Sequence, residues 1–133
     1  MEQTKVLVAE DEAISAISLK RALVQYGYKV CEVVSTGEDA ITAAKHERPD
    51  VIIMDILLAG KIDGFEAARE IQSLADIPIV FLTGYTDDNI VKRMKEYRWA
   101  ALLEKPILPE DIRLAIAEVL EMRKKGKQAI TQS

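Results

Sequence analysis

Val51-Ile52-Ile53-Met54-Asp55 is a run of four apolar residues closed by an acid. Three of the four are β-branched, and none alternates with a polar neighbour, so the stretch predicts a strand covered on both faces. That is the situation of a central strand in a parallel sheet with helices above and below. Asp55 then stands at the carboxyl end of the strand, the edge on which ligands bind in such sheets. Pro49 stops the helix before this strand. After it, Leu57 to Gly64 reads as a loop, and Phe65, Ala68 and Ile71 begin the inner face of the next helix.

Working outward, the same alternation of strand and helix occurs five times between the N-terminus and about Lys125. Val6-Leu7-Val8-Ala9 is the first strand, followed by a helix carrying Ala16, Leu19 and Leu23 and ending near Gly27. Tyr28 to Val34 is the second strand, and Lys29 and Glu32 within it predict an edge position. Ser35-Thr36-Gly37-Glu38 has the form of a capping box, with Ser35 as cap and Glu38 three residues on. Ile77 to Leu82 is the fourth strand, with Pro78 near its start, where a missing N–H is tolerated. Thr86-Asp87-Asp88 opens a fourth helix, lined on one side by Ile90, Met94 and Tyr97, and Ala100 to Leu103 is the fifth strand. Pro109 starts a last helix whose stripe is Ile112, Ala115, Ile116, Val119 and Leu120. Gly126 is expected to end it, leaving Lys127 to Ser133 as a polar, disordered tail.

The fold class is therefore α/β, a single doubly wound five-stranded parallel sheet of (βα)5 form with right-handed crossovers. Its 133 residues suit one ordinary domain; hydrophobic residues are 49% and charged residues 30%. A net charge of −4 argues against a nucleic-acid surface, and the polar N-terminus and single cysteine, Cys31, make the cytoplasm the default expectation, with no membrane association. His46 and Cys31 are too few, and too far in sequence from the Asp55 edge, for a zinc site.

The topology brings the polar residues to one edge. Glu10 and Asp11 follow the first strand, Asp55 ends the third, Thr83 follows the fourth, and Lys105 follows the fifth. If the first and third strands are neighbours, three carboxylates converge. Either one is protonated or a cation sits among them, and an all-oxygen set with room for water suits Mg²⁺ better than zinc. A carboxylate in such a setting can be a nucleophile that forms an aspartyl-phosphate, with a metal and a lysine offsetting charge on the transferred group. Asp55 has that setting, and the Thr83 hydroxyl is the natural group to follow a phosphoryl group once it is attached.

At this point the residues resemble a known family. Val-Leu-Val-Ala-Glu10-Asp11-Glu12, Pro49-Asp50 leading to Asp55, Asp63-Gly64-Phe65-Glu66-Ala67, Phe81-Leu82-Thr83-Gly84 and Glu104-Lys105-Pro106 are together similar to the receiver domains of two-component response regulators, the CheY-like family, from Lys5 to about Arg123. The resemblance implies a receiver domain over residues 1–125, with residues 126–133 as the tail, and a flavodoxin-like strand order 2-1-3-4-5. It implies that Asp55 accepts a phosphoryl group from the phosphohistidine of a sensor histidine kinase or phosphotransfer protein. Asp11 and Asp55 would bind Mg²⁺ directly, Glu10 through a water, and Leu57 through its backbone carbonyl, while Lys105 contacts the phosphoryl group and precedes a cis peptide at Pro106. A downstream effector, or a second copy of the chain, would meet the face formed by the fourth helix, fifth strand and fifth helix.

The sequence departs from the family pattern in two places. Leu102 stands where the family carries Tyr or Phe, and the loop from Asp55 to Asp63 is one residue longer than in many receivers and lacks their proline. Leu102 therefore keeps open a second function, a receiver-like binding module that works without phosphate. An aspartyl-phosphate phosphohydrolase would need a second acid at Leu57, and a flavin carrier would want donors or hydroxyls, not acids, after the first strand.

Overall fold

The computed structural model describes residues 3–132, with side chains through Gly126. Five strands, β1 (Lys5–Ala9), β2 (Lys29–Val34), β3 (Val51–Asp55), β4 (Ile79–Thr83) and β5 (Ala100–Glu104), form one parallel sheet in the order β2-β1-β3-β4-β5. The helices are α1 (Ala13–Gln25), α2 (Gly37–Glu47), α3 (Gly64–Leu74), α4 (Asp88–Met94) and α5 (Pro109–Gln132). β3 and β4 are buried at every position, as the unbroken apolar runs predict, and β2 and β5 are the edges. The core forms two layers. Leu7, Ile52, Met54, Phe65 and Phe81 pack with residues of α2 and α3 on one face, and Val6, Val8, Ile53, Leu82, Ile112 and Ile116 pack with α1 and α5 on the other.

Two sequence expectations are corrected. The cap of α2 is Thr36 and not Ser35: its Oγ1 accepts from the Asp39 N–H at 3.0 Å, and Glu38 reaches across to another loop instead of back to its own helix start. Gly126 does not end α5, which continues to Gln132, so the residues expected as a tail from 126 onward are helical that far. A glycine inside a helix costs about 1 kcal/mol against alanine and need not stop it. This one is there for packing: a Cβ on Gly126 would collide with the Trp99 ring, whose Nε1 donates to Asp76 at 2.7 Å.

The loop between β3 and α3 is bound tightly at both ends. Asp63 caps α3 through a reciprocal capping box with Glu66 (2.8 and 3.1 Å), and Gly64 lies so near the end of β3 that a Cβ there would strike the Asp55 carbonyl oxygen. Gly64→Ala is accordingly expected to destabilise the protein by about 1–3 kcal/mol, the usual cost of forcing extra volume against fixed backbone. Urea unfolding measures it, and an unchanged midpoint would contradict the close approach.

Candidate functional site

The carboxyl ends of β1, β3 and β5 meet at one polar cluster. Glu10 is 2% exposed and Asp55 4%. β1 and β3 are hydrogen-bonded neighbours, which brings Glu10, Asp11 and Asp55 together. One carboxylate oxygen from each lies within 4.8 Å of the others. Lys105, placed just after β5, extends over the cluster, and its Nζ donates to Glu10 Oε1 at 2.8 Å and to Asp55 Oδ2 at 2.7 Å. The other oxygen of Asp55, Oδ1, accepts from the Leu57 N–H at 3.1 Å. The Lys105–Pro106 peptide is cis.

Electrostatics explains this arrangement and shows that it is incomplete. Two carboxylates at 4.8 Å repel by about 3.5 kcal/mol at an effective dielectric of about 20. One lysine against three carboxylates leaves a formal charge of −2. Burial raises the Glu10 carboxyl above its ordinary value of 4.5, and the hydrogen-bonding contact with Asp55 raises it further against the opposing pull of Lys105. Burial opposes the charge on Lys105, but its hydrogen bonds to Asp55 and Glu10 outweigh that and raise it above 10.5. The paired lysine thus adds stability in full below 10.5, and this contribution is lost as the pH rises through the raised value. An all-oxygen cluster with residual negative charge matches a hard divalent cation, and Mg²⁺ in particular, which binds through few carboxylates and keeps water.

Of the residues singled out from sequence, Glu10, Asp11, Asp55 and Lys105 are brought together. Thr83 is on the same edge, at the last position of β4 and 6% exposed, but its hydroxyl is used locally. It donates to the Tyr85 carbonyl at 2.8 Å and accepts from the Tyr85 N–H at 3.2 Å. Leu57 holds its side chain in solvent, 76% exposed, with its backbone against Asp55. Leu102 is half-buried against the core layer of α2 and α3. His46 is exposed on α2, at the wall of a cleft that also reaches Glu10 and Asp11. Sequence reasoning missed the role of Gly64 as the point where α3 touches Asp55, although the Asp63-Gly64 pair opening a helix was the available signal.

Comparison with known proteins adds an independent line. A family profile for the response regulator receiver domain matches residues 6–117. The transcriptional regulatory protein PdtaR of Mycobacterium tuberculosis is 36% identical over 112 residues, covering 84% of this chain and 54% of that protein. The response regulator UvrY of Escherichia coli is 33% identical over 116 residues, covering 86% of this chain and 53% of that one. The chain thus spans about half the length of these curated relatives. Among solved structures, the signal receiver domain of a modulated diguanylate cyclase from Desulfovibrio desulfuricans superposes with a TM-score of 0.85 at 30% identity, covering 94% of this chain and 99% of that one. Profile, relatives and fold agree with the acid and lysine cluster on one assignment: the chain belongs to the response regulator receiver domains of two-component signal transduction.

Proposed function

We propose that Asp55 is the phosphoacceptor of this receiver, taking a phosphoryl group in a Mg²⁺-dependent reaction from the phosphohistidine of a sensor histidine kinase or phosphotransfer protein. The observation that carries the reading is a buried nucleophilic carboxylate at the end of the central strand, held at 2.7 Å by a lysine and flanked by two further acids. An Asp55 oxygen attacks phosphorus, the P–N bond to the donor histidine breaks, and a P–O bond forms. Mg²⁺, when bound, would offset charge on the phosphoryl oxygens. Asp11, Asp55 and the Leu57 carbonyl would hold it directly, and Glu10 through a water. Lys105 exchanges its contact with Asp55 for one with the new phosphoryl oxygens, and Thr83 gives up its bond to the Tyr85 carbonyl to donate to them. An apolar groove lined by Ile14, Ala22, Ile107 and Ile112 between α1 and α5 opens beside Lys105 and suits the donor domain.

The output lies on α4, β5 and α5, where α4 buries none of its residues and Leu108 and Leu114 are exposed. A downstream effector or a second copy of the chain binds there, in the cytoplasm; no helix among the described residues is long and apolar enough to cross a membrane. In this reading the domain catalyses only its own phosphorylation and dephosphorylation. Leu102, in place of the expected aromatic, favours a second reading as a phosphate-independent binding module.

Beryllofluoride, a mimic of the phosphoryl group, separates the two readings. With Mg²⁺ it is expected to shift the amide resonances of Asp55, Thr83 and Lys105, and without Mg²⁺ to leave them in place; no shift with Mg²⁺ would favour the binding module. The acid cluster also predicts a pH dependence. Folding raises the Glu10 carboxyl, so the folded protein holds that proton more tightly than the unfolded chain, and in the window just above 4.5 stability falls as pH rises. Mg²⁺ needs the ionised form, so its affinity is expected to weaken on acidification with a midpoint above 4.5, and Glu10→Gln to remove that midpoint. Calorimetric Mg²⁺ titration across this range measures it, and a midpoint at or below 4.5 would contradict the assignment.

A further inference from the structure

We infer that Glu38, on the first turn of α2, is a positioning residue for the metal-binding loop that follows Asp55, a role resting on the reading of Leu57 as a metal ligand. This loop is long and has no proline to stiffen it, and Leu57 must present its backbone to the site from a side chain that is 76% exposed. Its two ends are fixed, by the Leu57 N–H on Asp55 and by the capping box at Asp63. The middle is held by Leu58 and Ile62 against the core and, from outside, by the start of α2.

Four contacts define that anchor. Glu38 Oε2 accepts from the Lys61 N–H at 3.3 Å. Thr36 and Ala59 form an isolated parallel bridge. Gly60, at φ +96°, lies so close that a Cβ would stand 2.8 Å from Glu38 Oε2 and 3.2 Å from the Thr36 Cβ. A Cβ on Gly37 would stand 2.6 Å from the Ile62 side chain, so α2 and the loop also meet without intervening space. The backbone N–H of Lys61 holds the Glu38 carboxyl below its ordinary range, as expected for a carboxylate serving as acceptor. Glu38 therefore need not be part of its own helix cap, which Thr36 completes through Asp39. Its carboxylate is free to hold the segment that places the Leu57 carbonyl.

The test is Mg²⁺ affinity by calorimetry in the parent, Glu38→Ala and Glu38→Gln, together with amide hydrogen exchange at Lys61 in Mg²⁺-free protein. Glu38→Ala is expected to weaken Mg²⁺ by about tenfold, the low end for groups that orient a metal ligand. It should also speed exchange at Lys61. Glu38→Gln keeps an acceptor oxygen and is expected to restore most of the affinity. Parent-like affinity in Glu38→Ala, or no recovery in Glu38→Gln, would overturn the inference while leaving the acceptor site intact. A parent that binds no Mg²⁺ at all would overturn the reading of the site as well.

Discussion

Replacing Lys105 with alanine is expected to slow phosphorylation of Asp55 by roughly 10²–10³-fold at saturating Mg²⁺, the range for losing one charge-stabilising donor at a reacting centre. The same change is expected to tighten Mg²⁺ binding. In the free protein the lysine occupies Glu10 and Asp55 at 2.8 and 2.7 Å and so competes with a cation for the same oxygens. Without it, three carboxylates face one another unneutralised, and Mg²⁺ is the remaining means of relief. The metal-free variant should be less stable than its parent because two of those acids are almost fully buried, and Mg²⁺ should recover part of the loss. Stopped-flow phosphorylation with calorimetric Mg²⁺ titration tests both halves. A slower reaction with weaker Mg²⁺ binding would mean that the lysine supports the metal site instead of competing with it.

Phe65→Ala is expected to cost about 3–5 kcal/mol of stability, the usual loss for a buried aromatic truncated to a methyl group. Phe65 is fully buried at the start of α3. Its ring lies 4.8 Å from that of Phe81 and 5.6 Å from that of Tyr97, and the Arg93 guanidinium stands 4.3 Å over its face. The Tyr97 hydroxyl donates to the Phe65 carbonyl at 2.7 Å, so one residue joins the segment after α4 to the helix that touches Asp55. Tyr97→Phe, which removes only that hydroxyl, should cost about 1 kcal/mol. Equilibrium urea unfolding measures both, and a Phe65→Ala loss no larger than that of Tyr97→Phe would contradict the packing described.

The parts of the molecule legible from sequence are those set by local pattern. Val51 to Met54 could be placed at the sheet centre because four apolar residues in a row need cover on both faces, and Asp55 at the ligand edge because it ends that run. Glu10, Thr83 and Lys105 followed from the ends of their own strands, and the sheet order then brought Glu10 and Lys105 onto Asp55. What was not legible depends on residues distant in sequence. Gly126 has the sequence mark of a helix end, and only the Trp99 ring 27 positions earlier explains why a glycine sits inside the helix. Glu38 fits a capping box by spacing, yet its acceptor role is toward Lys61, 23 residues on. Thr83 was correctly placed on the edge, but whether its hydroxyl faces the acid cluster or the next turn is a choice of side-chain rotamer. Here the nearer Tyr85 backbone takes it.

On the proposed reading, the Thr83 and Lys105 contacts are one state of a switch. A phosphoryl group on Asp55 would add negative charge beside a lysine already shared between two acids, so that Lys105 would redistribute its bonds and Thr83 would gain a stronger acceptor than the Tyr85 carbonyl. Movement of Thr83 would then free the turn leading into α4, a seven-residue helix with no buried residue of its own. Leu102 is half-buried at β5, and Tyr97, just after α4, packs against the same core layer and donates to the Phe65 carbonyl.

The most direct test of the account is intact-mass spectrometry of the parent and of Asp55→Asn after incubation with a small acyl-phosphate donor, each with Mg²⁺ and with chelator. The account predicts one phosphoryl adduct in the parent with Mg²⁺ and none in the other three samples. An adduct that persists in Asp55→Asn, or a folded parent that takes none with Mg²⁺ present, would contradict it.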